Sequence, residues 1–120
     1  GLHLKLKRRG EKVRVWLDEE PRGSLHRPSA DVLMASVARI YGARSLGVIL
    51  TGMGRDGAQG LLAMRQAGAR TLGQDESSCV VYGMPRAAFE IGAVEKQAPL
   101  SRMSAAILGL CAAPESQRSA

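Results

Sequence analysis

Aromatic residues are nearly absent from this chain: Trp16, Tyr41, Tyr82 and Phe89 are the whole set. A core must therefore be built from Leu, Val, Ile, Met and Ala. A surface that stacks nucleic-acid bases has little to work with, and no helix-turn-helix, zinc-finger or RNA-binding pattern occurs, so no nucleic-acid partner is expected. Cysteine is also scarce. Cys79 and Cys111 lie far apart in or beside apolar segments, which suggests buried free thiols in a reducing compartment, not a disulfide framework. His3 and His26 have no Cys or carboxylate at metal-ligand spacing, so no metal site is expected. No signal-peptide pattern and no long apolar run is present, which argues against membrane insertion and makes the cytoplasm the default location.

At 120 residues the chain suits one domain with a real core and is too short for two. Its net charge of +6 is concentrated, since residues 1 to 27 hold eight Lys/Arg against four Asp/Glu. Such a cluster is either a solvated basic face or an attraction for an acidic partner.

Alternation of Leu2, Leu4 and Leu6, then of Val13, Val15 and Leu17, predicts a β-hairpin over residues 2 to 17, turning at Arg9-Gly10-Glu11, with one apolar and one wet face. A polar loop, 18 to 28, leads to a helix N-capped by Ser29, with Asp31 in its first turn, that runs to Tyr41 and stops at Gly42. A strand over 46 to 50 and a helix over 57 to 67 follow. A strand over 70 to 73, a loop, and a helix from Pro85 to Gly92 come next, then a short strand within 93 to 98. A last helix spans 100 to 111, and the tail 113 to 120 reads as disordered. Helix and strand in alternation indicate α/β with a parallel sheet. Val48-Ile49-Leu50 is apolar throughout, so it should be covered on both faces and have strand neighbours on each side. Two or three short strands are few for such a sheet, and the chain reads as the second half of a domain.

Gly52, Gly54 and Gly57 form G-x-G-x-x-G after the apolar strand, with Asp75 and Glu76 about twenty residues on, where a ribose-binding acid would stand. The pattern argues less for a dinucleotide than it first suggests. Asp56 sits just before the helix, where a carboxylate repels phosphate and competes for the same N–H donors. No cofactor is therefore expected. Asp56 itself reads in two ways. With Gln59 it makes a D-x-x-Q capping box. At the carboxyl end of a parallel strand it is also placed to orient a catalytic His. His26, Ser29 and Asp31 suggest an internal triad, but Ser29 serves more simply as a cap. Ser77, Ser78 and Cys79 have no His near them in sequence. The loop before Pro85 reads equally as cleft lining or as plain connection.

The segments HRPSADVLMASVA (26 to 38), GVILTGMGRDGAQGLLAMRQAGA (47 to 69) and QDESSCVVYGMPRAAFEIGAV (74 to 94) resemble the C-terminal half of the catalytic domain of chemotaxis protein-glutamate methylesterases. The likeness extends to about Leu110. It implies a doubly wound, mostly parallel α/β domain, with the N-terminal β-hairpin as an appendage and residues 1 to 112 as its C-terminal part. It implies a cofactor-free serine esterase, a carboxylic ester hydrolase that removes methyl groups from glutamate methyl esters on the cytoplasmic helices of chemoreceptors. Many members also deamidate receptor glutamines. The family's Ser-His-Asp triad takes its acid from T-G-M-G-x-D-G, here Thr51 to Gly57, which carries the role to Asp56 and an oxyanion-hole N–H to Met53. The family's serine and histidine motifs, and its receiver domain, lie upstream of the hairpin. Their absence here implies a fragment that is inactive alone and works with that missing half. The alternative is a non-catalytic folded remnant that binds a partner or self-associates through an exposed sheet edge.

Overall fold

A computed structural model of the protein describes residues 1–112; the tail expected to be disordered at 113 to 120 lies outside the described residues. The hairpin forms as read. Strands β1 (His3–Arg9) and β2 (Lys12–Asp18) pair antiparallel around Gly10-Glu11, with Leu4 opposite Leu17 and Leu6 opposite Val15. Its sidedness is the reverse of what an amphipathic strand usually shows. The apolar face is open, with Val15 63% and Leu17 57% exposed, while His3 on the polar face is completely buried. The reason is the loop that follows. Its carbonyls need donors, and the polar face supplies them: Lys5 Nζ donates to Glu20 O (2.8 Å) and also pairs with Asp18 (2.9 Å), and His3 Nε2 lies 2.9 Å from Pro21 O. Helix α1 (Ala30–Tyr41) runs beside β1, tied by the Leu6 N–H to the buried Ser36 Oγ (2.9 Å).

The rest is α/β. Strands β3 (Leu46–Ile49), β4 (Arg70–Gln74) and β5 (Lys96–Ala98) are parallel in the order β3-β4-β5. They are linked by α2 (Ala58–Gln66) and α3 (Met84–Glu90), and α4 (Leu100–Ala112) is the last described element. Strand alternation sends side chains to two separate cores. Ile49 packs with Ala58, Leu61, Ala88, Ala93 and Val94 under α2 and α3. Leu72, with Leu46 and Val48, packs against Met103, Ile107 and Leu110 of α4. Helices thus cover both faces of the sheet, the doubly wound arrangement.

Within the described residues β3 is bonded only to β4 and its other edge is open, with Leu50 41% exposed. One expectation is corrected: the thiols are not buried, Cys79 being half-buried and Cys111 exposed. Cys111 follows Leu110 by 100° around the helix, which takes it off the packed stripe.

One close approach positions everything that follows. A Cβ on Gly60 would lie 2.7 Å from Met34 Cβ and 2.9 Å from Asp31 Cα. Only glycine lets α1 and α2 meet this closely, and the contact brings their N-termini side by side.

Candidate active site

The turn after β3 is held from one side by the chain before α3. Thr51 N–H donates to Oε1 of the buried Gln74 (2.8 Å), whose amide donates to Ser78 O (2.8 Å). Thr51 Oγ1 donates to Val81 O (3.1 Å) and accepts from Val81 N–H (2.9 Å). Gly52 N–H donates to Val81 O, and Gly52 O accepts from the N–H groups of Gly83 and Met84. The loop before Pro85 therefore reaches the glycine turn and forms one wall of it. None of these hydrogen bonds uses the Met53 N–H, and the Met53 side chain stands 83% exposed at the tip.

Asp56 comes next, and its bonding departs from the sequence reading. No D-x-x-Q box forms, because Gly57, with φ +96, is the N-cap of α2 and no side chain caps it in that way. The Asp56 carboxylate turns instead to α1. Oδ2 accepts from Ala30 N–H (2.7 Å), and Oδ1 accepts from Asp31 N–H (3.1 Å) and Ser29 Oγ (2.8 Å). Asp31 returns the exchange. Its Oδ1 accepts from Gly57 N–H (3.0 Å), at the N-cap of α2, and from Gly60 N–H (2.7 Å), in the first turn of α2. Each helix is capped by an aspartate from the other. Ser29 occupies the N-cap position of α1 but makes no capping bond with its side chain, since its hydroxyl is committed to Asp56. A helix start leaves N–H groups unpaired and carries partial positive charge, so a carboxylate at each of these two helix starts is favoured.

This geometry also answers the glycine fingerprint. The α2 N–H groups that would cradle a pyrophosphate are occupied, by Asp31 and not by Asp56 as the sequence suggests. Asp75, the other half of that pattern, accepts from Ser78 N–H and Oγ within its own turn.

Electrostatically, burial works to raise the Asp56 carboxyl, but the donors from Ala30, Ser29 and Asp31, with the nearby His26, more than offset it. The net result lies below the ordinary aspartate value, so Asp56 is ionised at neutral pH. His26 is exposed and lines a cavity of about 250 Å³ with Ser24, Ser29, Arg55 and Asp56. The His26, Ser29 and Asp31 trio is thus gathered around Asp56, but the Ser29 hydroxyl donates to that carboxylate, not to an imidazole. Ser78 is spent on structure, bonded to Asp75, Gln74 and Leu100 N–H. The Cys79 thiol is pushed upward, chiefly by burial, so it is a poor nucleophile.

Among the described residues no three His, Cys, Asp or Glu side chains group as metal ligands, and no helix is long and apolar enough to cross a membrane. Sequence reasoning missed Gln74 and the Asp31–Asp56 exchange. The available signal was an aspartate at each of two consecutive helix starts.

Comparison with known proteins is consistent in one direction. Residues 1–107 match the family model described as CheB methylesterase. A protein-glutamate methylesterase/protein-glutamine glutaminase of Caulobacter vibrioides is 72% identical over 88 residues, 73% of this chain and 26% of that protein. One of Anaeromyxobacter dehalogenans is 58% identical over 108 residues, 90% of this chain and 30% of that protein. The crystal structure of the Thermotoga maritima CheB methylesterase catalytic domain superposes with a TM-score of 0.85 at 33% identity, over 91% of this chain and 58% of that one. The chain therefore spans between a quarter and a third of the length of these two relatives, and somewhat over half of that catalytic domain.

Proposed function

This chain belongs to the CheB methylesterase family, and from that premise we propose that it forms the C-terminal part of a serine esterase domain and contributes Asp56 as the acid of a Ser-His-Asp triad. The substrates are glutamate methyl esters on the cytoplasmic helices of chemoreceptors, with deamidation of receptor glutamines as a second activity. The serine and histidine come from the remainder of the domain, and a receiver domain regulates it, in the cytoplasm.

The observation that carries the reading is the bonding of Asp56. A carboxylate offers about four lone-pair positions. Ser29, Ala30 and Asp31 fill three, which leaves one on Oδ2 for an imidazole Nδ1–H. An acid so held is ionised and fixed, as is required to select the histidine tautomer and stabilise the imidazolium. The serine oxygen attacks the ester carbonyl as histidine takes its proton, and methanol leaves with that proton. Water then hydrolyses the acyl-enzyme by the same route. The Met53 N–H, free of the bonds that zip up the turn, donates to the tetrahedral oxyanion. The 120 residues by themselves hold an acid with nothing to orient and release no methanol.

The test is methanol release from a methylated receptor fragment, by this chain alone and mixed with a separately produced upstream part. Activity only in the mixture, lost with Asp56→Asn, supports the proposal; activity of the chain alone overturns it.

A second reading, a folded module that binds or self-associates, draws on the open apolar hairpin face and the unpaired outer edge of β3. Sedimentation that stays monomeric across a hundredfold concentration range would remove its self-association form.

A further inference from the structure

We propose that His3 is a positioning residue for the Asp56 carboxylate, acting through Ser29; this rests on the reading of Asp56 as the triad acid. His3 is a fully buried imidazole that the proposed chemistry does not use. Its ring lies between two backbone groups of opposite character. Ser29 N–H donates to Nδ1 at 3.3 Å, and Nε2 lies 2.9 Å from Pro21 O. A backbone N–H only donates and a carbonyl only accepts. The ring therefore carries its proton on Nε2 and presents Nδ1 as an acceptor, a single neutral tautomer.

Ser29 is where this matters. It is only 8% exposed, so its N–H without His3 would be a buried unpaired donor. Its hydroxyl donates to Asp56 Oδ1, and the two residues after it supply the other Asp56 donors. All three hydrogen bonds to Asp56 thus come from residues 29 to 31, and His3 anchors the first of these from the opposite side. The chain of contacts runs Pro21 O, His3, Ser29, Asp56. It links the hairpin to the carboxylate without His3 touching any reacting group.

Two substitutions separate the ends of the ring. His3→Asn places an amide oxygen near Nδ1 and keeps an acceptor for Ser29. His3→Gln keeps a donor toward Pro21 and loses that acceptor. In the full 120-residue chain, the Asp56 carboxyl carbon is followed by NMR as pH falls, with Glu95 in the same spectra as control. The expected result is that His3→Gln moves the Asp56 midpoint up toward the ordinary aspartate range while His3→Asn leaves it near wild type. In a Ser29→Ala background, where one of the three donors is already gone, the Gln effect is smaller. Equal shifts for Asn and Gln, or a Gln shift undiminished without the hydroxyl, would overturn the proposal. If neither variant folds, the imidazole nitrogen shifts of the wild-type chain decide: a protonated Nε2 beside a bare Nδ1 supports it, and the reverse tautomer overturns it. In the complete catalytic domain His3→Gln lowers kcat about tenfold with KM unchanged, as expected of small misplacement. Should Asp56→Asn leave kcat intact there, the triad reading fails alone, because the titration does not depend on activity.

Discussion

Two parts of this molecule meet at α1 and treat their side chains in opposite ways. Where α1 and α2 begin, Asp31 and Asp56 cap each other's helices across some 25 residues of chain, and each carboxylate has named donors at 2.7–3.1 Å. On the hairpin, Leu2, Leu4, Val15 and Leu17 lie open to solvent, Leu6 and Val13 are half-buried, and the buried contacts lie on the opposite face around His3. The first region fixes geometry through directional bonds over a packed core. The second contributes one anchored ring, His3, and leaves most of its apolar side open. Rigid placement is thus concentrated around the carboxylate proposed to work, and the basic, open hairpin is the part left available for contact.

Substitutions can break this contrast at several strengths. The largest effect is expected from Leu61→Ala. Leu61 is fully buried in the α2 core against the β3 backbone at Gly47, and the change should cost about 3 kcal/mol of unfolding free energy in urea. Asp31→Ala comes next. It strips the acceptor from Gly57 and Gly60 N–H and should cost about 2 kcal/mol in the same assay. Acid sharpens the contrast further. The folded Asp56 and Glu95 carboxyls lie below their ordinary values, Glu95 because Arg70 and Thr71 N–H outweigh its burial. Their stabilisation is complete above the unfolded carboxylate range of about pH 4 and is lost as pH falls through the lower folded values. Tm should therefore drop below about pH 4, and less steeply in Asp56→Asn. The smallest effect belongs to the hairpin face, where Val15→Thr should change stability by no more than about 0.5 kcal/mol. A loss of several times that would mean the face is covered in solution.

The elements themselves were legible because their signals are local. Alternation marks the hairpin, and Gly42, Gly68 and Gly92, each at positive φ, stop helices where the pattern requires it. The resemblance carried in T-G-M-G-R-D-G placed Asp56 at the turn after β3 without any coordinates. What stayed hidden is non-local. Alternation says that a strand has two faces but not which one a later loop will cover, and here the loop carbonyls favoured the polar one. A D-x-x-Q pattern identifies a capping acid but not the helix it caps, because that depends on how closely Gly60 lets α1 approach. His3 reads as an unremarkable surface strand residue until Ser29 arrives beside it.

The central claim is that Asp56 is more than a cap. The most direct test is kcat for methanol release in the complete catalytic domain, with Asp56→Asn measured beside Asp31→Asn. Both changes touch the exchanged caps, but only Asp56 would orient the histidine. The expected result is a loss of roughly 10³–10⁴ in kcat for Asp56→Asn and less than about tenfold for Asp31→Asn. Comparable losses in the two variants would show the carboxylate to be structural and contradict its place in the triad.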